Sequence, residues 1–301
     1  MRLSELNKSN FTRCISSDGL GLKIGPFTVC LKSSVPSVAE HLIGLYGGFK
    51  LVSKDEFIDF QVSIGFPNNL RRFIYQQAIF SFDNYYPFLP LPLPQAGAMF
   101  EWGLNWCVAN QSHQYLIIHA AVVERDGYAI ILPGVPGSGK STLCAALVCS
   151  GWRLLSDEMT LLSLVNGRIY PIPRPISLKN QSIDIIKNFS DKAVITSIVP
   201  NTIKGTLGHM RTFEKCLSCI DIPAIPSRII FPRYTLGSNN LLKPINKHHA
   251  FMKVAENSFN FNVLGAVGFN AIKKLIVDCD VYEFEYHSLR EAIMLFEQFG
   301  L

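Results

Sequence analysis

Hydrophobic and polar positions alternate in short runs over the first third of the chain. Residues 22–31, 57–64 and 78–82 read as β-like segments broken by Gly, Pro and Asn. The stretch FLPLPLPQAG at 88–97 is stiff and marks a boundary. It divides the chain into a β-rich region, 1–98, that carries no recognisable chemistry, and a second region, 99–301. Residues 99–109 set bulky side chains at helical spacing, the pattern of a buried helix feeding the next strand. A strand at 116–123 turns at Asp126-Gly127 and returns at 128–132. Helix-forming composition follows over 142–150 and ends at Gly151, then comes a strand at 152–156. A second hairpin joins 159–165 to 168–172 around Asn166-Gly167. Helical periodicity returns at 246–257 and 265–278, a strand at 281–286, and Ser288 with Glu291 opens a final helix ending near Gly300. The pattern is that of an α/β protein with a mixed sheet.

Composition narrows the class. Hydrophobic residues make up 48% and charged residues 17%, which excludes a disordered or fibrous chain. The net charge of +5, from 28 basic against 23 acidic residues, forms no block, so nucleic acid is not an expected partner. No apolar run has the length of a membrane span. The N-terminal MRLSELNKSNFTRC lacks the apolar core of a secretory signal, and the eight cysteines read as reduced thiols, so a cytoplasmic location is expected. Cys216 and Cys219 form a C-x-x-C pair with no second pair to complete a zinc site, and the prolines that follow suggest a loop.

The chemistry is concentrated in the middle. Gly134, Val135, Pro136, Gly137, Ser138, Gly139, Lys140 and Ser141 fit G-x-x-x-x-G-K-[ST], the Walker A phosphate-binding loop, between a β-run and a helix. Glycines let successive N–H groups turn toward phosphate oxygens, and the helix N-terminus adds its dipole. Lys140 suits the β- and γ-phosphates of ATP, and Ser141, with Thr142 behind it, suits Mg²⁺. Asp157 and Glu158 follow one short helix and one strand later, so they return beside the loop as candidates for holding magnesium or accepting a proton. A solvated strand-end pair is the plain alternative. His119, on the hairpin partner of the loop's strand, is either a core histidine or a group on the γ-phosphate side. Arg174, Lys179, Lys204, His209 and Arg211 form a run of basic candidates for phosphates or an acidic acceptor segment.

The order HAAVV from His119, the loop, then RLLSDE ending at Glu158 resembles the catalytic domain of bacterial HPr kinase/phosphorylase. EWGLNW from Glu101, RPISLKN from Arg174, KGTLGH from Lys204, FPRY from Phe231 and AENSFN from Ala255 are similar to the HprK-related kinase A family. The resemblance covers about residue 99 to the end. It implies a P-loop fold of the HPr kinase and phosphoenolpyruvate carboxykinase type, and ATP- and Mg²⁺-dependent transfer to a serine of a small protein or peptide. It implies that His119 and Asp157 help deprotonate that serine. Glu158 stands where the parent family more often has a second aspartate, which leaves reverse phosphorylase activity without support. Related members are often encoded near PqqD-like peptide-binding proteins, which implies such a partner. The parent family forms hexamers, so a homo-oligomer stays open. Two other classes remain alongside the kinase: a nucleotide-binding regulatory or peptide-chaperone module, and a simple NTPase. No Asn/Thr-Lys-x-Asp motif favours guanine.

Overall fold

The computed structural model describes residues 1–53 and 55–299. The first third holds α1 (Lys8–Ser16), β1 (Leu20–Ile24), β2 (Phe27–Ser33), α2 (Pro36–Tyr46), β3 (Phe60–Gly65), β4 (Gln77–Phe82), β5 (Leu91–Pro92) and α3 (Ala96–Gln111). The middle holds β6 (Tyr115–Ile118), β7 (Ala120–Arg125), β8 (Tyr128–Pro133), α4 (Lys140–Cys149), β9 (Arg153–Ser156), β10 (Thr160–Ser163), β11 (Ile169–Tyr170), β12 (Ile176–Lys179) and α5 (Gln181–Phe189). The remainder holds β13 (Ile195–Thr202), β14 (Gly205–Met210), α6 (Glu214–Ser218), β15 (Ile225–Tyr234), β16 (Leu241–Pro244), α7 (Lys247–Glu256), α8 (Phe261–Leu264), α9 (Ala266–Asp278), β17 (Asp280–Tyr286) and α10 (Leu289–Glu297). The expected end of the last helix near Gly300 lies outside the described residues.

The architecture is mixed α/β. The central sheet has the order β16-β17-β15-β8-β7-β9, with β17, β15 and β8 parallel and the others antiparallel to their neighbours. Period-2 alternation sends Ala121 and Val123 to one face and Ala120 and Val122 to the other. On the first face α4, α5 and α10 close a core around Leu132, Leu143, Leu147 and Phe284. On the second, α7, α9 and the small sheet β11-β10-β6 cover Ile131, Ile229 and Val281.

The N-terminal sheet, β1-β2-β3-β4-β5, shares one core with α1, α2 and α3, and that core continues into Ile117, Leu161 and Ile172. The boundary expected at residue 98 falls inside the first turn of α3. The run at 22–31 is a hairpin, turned at Gly25, whose φ is +60°; a Cβ there would lie 2.2 Å from the Pro171 carbonyl oxygen. Helices α1 and α2 were not foreseen. The first takes Asn7 as its cap, which accepts from the Asn10 N–H at 2.8 Å, and buries Phe11 and Ile15 one turn apart.

Two further expectations are corrected. The strand expected at 116–123 is two strands in two sheets: β6 pairs with β10, β7 with β8 and β9, and the chain changes sheet at His119. The segment around Cys216 is not a loop throughout, because α6 carries Cys216 into the core; all eight cysteines are free thiols. Among the described residues no helix is long and apolar enough to cross a membrane.

Candidate functional site

Strand directions bring the site together. Because β7 lies antiparallel between β8 and β9, the start of β7 and the ends of β8 and β9 fall on one edge of the sheet. His119 precedes β7, the loop at 134–141 leaves β8, and Asp157-Glu158 leaves β9. The expected return of the acidic pair to the loop is therefore met by geometry.

The loop is held from below and open above. Val135, Pro136 and Gly137 are exposed, whereas Ser138 and Lys140 are buried. Gly139 has φ +87° and caps α4; a Cβ there would meet the Tyr286 hydroxyl at 2.3 Å. That hydroxyl donates to the Gly139 carbonyl at 2.8 Å, and the Tyr234 N–H donates to the Ser138 carbonyl at 2.9 Å. The FPRY segment thus ends against the loop.

Lys140 Nζ donates to His119 Nε2 at 3.0 Å. Burial, then Lys140, lowers the His119 pKa to about 4, so the ring is neutral and its Nε2 lone pair is already engaged. Burial also pushes Lys140 below its usual value, against the pull of Asp157 and Glu158. Asp157 is 5% exposed. Burial and then the neighbouring Glu158 raise its pKa to about 6, while Lys140, the Ser177 N–H and the Ser141 hydroxyl favour its charged form. The Ser177 N–H reaches Asp157 Oδ2 at 3.1 Å, and Oδ1 is buried with no hydrogen-bond partner. For Glu158, burial is outweighed by Arg174 and by an amide hydrogen bond from Asn105, so its pKa falls.

The basic candidates divide. Arg174 is buried, and its guanidinium is committed to protein groups: Nη1 donates to the Glu101 carbonyl at 3.1 Å and to Glu101 Oε2 at 3.2 Å, and Nη2 to Asn105 Oδ1. It does not present a free fork to phosphate. His209 is buried with neither ring nitrogen bonded, against the edge of His41, ring centroids 5.2 Å apart. Burial and His41 lower its pKa to about 4. Lys179 and Lys204 add positive field at His119 and Glu158, and Lys204 lies over the Trp102 ring. Arg211 is exposed beside β14 and is not joined to these groups.

A polar cleft beside Asp157 is lined by Glu101, Trp102, Glu158, Arg174, Ser177 and His209. Sequence reading missed Glu101 and Asn105 as site residues, and it missed His41 and Tyr46 on α2, which bond to Glu101. The available signal was a Glu and an Asn one turn apart within a helix that is otherwise apolar up to Ala109.

The residues fit a magnesium nucleotide. Gly137, at φ +87°, would have nothing within 4 Å of a Cβ, so the outer loop has room, and Ser138 Oγ and Asp157 Oδ1 are buried without partners. Magnesium takes one or two carboxylates together with phosphate oxygens, and Ser141, Asp157 and Glu158 are such a donor set. No group of three or more His, Cys, Asp or Glu side chains suited to a metal occurs among the described residues.

Compared with known proteins, residues 100–177, less than half of the chain, match the family model described as SynChlorMet cassette protein ScmC. The match runs from α3 into β12. No curated protein matches. Among solved structures, the chain is similar to the Hpr(Ser) kinase/phosphatase from Coxiella burnetii at 13% identity, over 60% of this chain and 91% of that one, with a TM-score of 0.27. A TM-score of 0.27 is a weak structural likeness.

Proposed function

We propose that the protein is an ATP- and Mg²⁺-dependent kinase that phosphorylates a serine hydroxyl of a small protein or peptide, with a P-loop fold of the HPr kinase type. The observation that carries this reading is Asp157: a buried carboxylate with one unpaired oxygen, at the sheet edge that carries the 134–141 loop, with a pKa near 6. A base with that pKa is charged at neutral pH and close enough to it to accept a proton from an attacking hydroxyl. In the step, the serine oxygen bonds to the γ-phosphorus and the bond to the β,γ-bridging oxygen breaks. The hydroxyl proton passes to Asp157, and ADP is the leaving group.

The loop amides and Lys140 offset charge on the transferred group, and His119 aims Lys140. His119 therefore acts by orienting Lys140, and the base role falls to Asp157. Ser141 and Glu158 would hold Mg²⁺, leaving Asp157 to take the proton, and the ion would supply charge neutralisation at the β- and γ-phosphate oxygens.

The test is incubation of the purified protein with γ-labelled ATP, Mg²⁺ and a lysate of cells that make it, beside Asp157→Asn. The expected result is a discrete labelled band that the variant loses. Phosphate release without any acceptor would instead identify an NTPase. Nucleotide-stabilised melting with no turnover would identify a binding module.

A further inference from the structure

Two carboxylates, Glu101 buried and Glu158 half-buried, are joined through two side chains. Glu101, on α3, accepts from His41 Nε2 at 2.9 Å, from the Tyr46 hydroxyl at 2.8 Å and from Arg174 Nη1 at 3.2 Å. Arg174 Nη2 donates to Asn105 Oδ1, and the Asn105 amide donates to Glu158 Oε2. The run His41–Glu101–Arg174–Asn105–Glu158 therefore begins on α2 of the N-terminal region and ends at the carboxylate beside Asp157.

Its construction is specific. Glu101 and Asn105 are one turn apart, so a single rigid helix presents both. Helices α2 and α3 approach so closely that a Cβ at Gly97 would lie 2.8 Å from His41 Nδ1. Glu101 takes one arm of the Arg174 fork with both its carbonyl and its carboxylate. That arm is then committed to Glu101, and Arg174 acts on Glu158 through its charge. The Asn105 amide stands between guanidinium and carboxylate and engages one oxygen of Glu158, leaving Oε1 without a hydrogen bond among the described residues.

We propose that Glu101, Arg174 and Asn105 are positioning residues that fix Glu158 with one oxygen free toward a metal beside Asp157. Helices α2 and α3 thereby complete the metal-binding edge. This rests on the reading of Glu158 as a magnesium ligand. It gives the N-terminal region a task in the site, supplying the two donors that keep Glu101 charged and in place.

The experiment titrates Mn²⁺, as the probe for Mg²⁺, into protein saturated with a non-hydrolysable ATP analogue, following free Mn²⁺ by electron paramagnetic resonance. Asn105→Leu is expected to weaken Mn²⁺ binding about tenfold or more, the usual effect of removing a partner of a metal ligand. Affinity for the analogue in the presence of EDTA should not change, whereas a merely structural defect would move both. If Asn105→Leu does not fold, Glu101→Gln decides: it keeps an acceptor for Arg174 but loses the charge, and should weaken Mn²⁺ by up to about tenfold. Wild-type Mn²⁺ affinity in a folded variant overturns the proposal while leaving the kinase reading intact. Absence of nucleotide-dependent Mn²⁺ binding in the wild type overturns the reading itself.

Discussion

Burial and the adjacent Glu158 carboxylate hold the Asp157 carboxyl at about 6, above its ordinary 3.8. A carboxyl whose folded pKa exceeds its unfolded one binds its proton more tightly in the folded state, so it destabilises the fold once that proton is gone. The penalty is complete above pH 6, shrinks as pH falls from 6 toward 3.8, and is absent below. Two pKa units correspond to about 3 kcal/mol, less what Lys140 loses when its partner is neutralised. Asp157→Asn, which keeps an oxygen for the Ser177 N–H, should therefore melt several degrees above wild type at pH 8, with the gap closing near pH 4. Differential scanning calorimetry without nucleotide checks this; a lower melting temperature at pH 8 would show that the charged carboxylate is stabilising. The same residue illustrates what sequence makes visible. Asp157 and Lys140 could be paired because one helix and one strand separate them. Arg174, equally visible, reads from sequence only as a candidate for phosphates or an acidic acceptor segment, since its partners, Glu101 and Asn105, are about 70 residues away and are chosen by packing.

At the scale of elements, hairpins were legible where an Asx-Gly pair made the turn, whereas the turns at Gly25 and Gly205, also at positive φ, were not. Asp126-Gly127 and Asn166-Gly167 stand between paired strands as expected. The change of sheet at His119 was not legible, because buried strands in adjoining sheets read as one unbroken apolar run. What enforces the change is the segment after α7. The Asn257 carbonyl accepts from the His119 N–H at 2.6 Å. Asn260, 1% exposed, accepts from the Ile117 N–H at 2.9 Å and donates to the Tyr115 carbonyl at 2.8 Å. Asn260→Ala would leave two buried backbone groups of β6 unpaired, at about 1–3 kcal/mol each. Urea unfolding should show a midpoint lowered by the equivalent of about 2–4 kcal/mol with the slope unchanged. Equal midpoints would mean that β6 holds its place through β10 alone. The AENSFN segment, noticed in the sequence only as a likeness, thus acquires a physical reason: it fixes the backbone from which His119 reaches Lys140.

Across the whole molecule, the region before residue 98 was read as β-rich and chemically silent. Its five-stranded sheet was partly legible from alternation, but α1 and α2 were passed over, and with them His41 and Tyr46. Neither has meaning until α2 lies against α3. The packing argues that this region and the rest fold as one unit. Phe100, Leu104, Ile117, Leu161 and Ile172 share a core with Leu42, Tyr46 and Phe80, and none of these is more than 2% exposed. Removing residues 1–95 would expose that apolar face, at roughly 1.5–3 kcal/mol for each large side chain uncovered. It would also strip Glu101 of His41 and Tyr46, leaving a buried charge with Arg174 as its one side-chain donor among the described residues. Residues 96–301 expressed alone should therefore show no cooperative thermal transition and no nucleotide-induced shift in melting, whereas the full chain shows both. A fragment that melts cooperatively and binds nucleotide as the full chain does would establish the N-terminal region as a separate domain. It would also remove the need for α2 at the acidic edge.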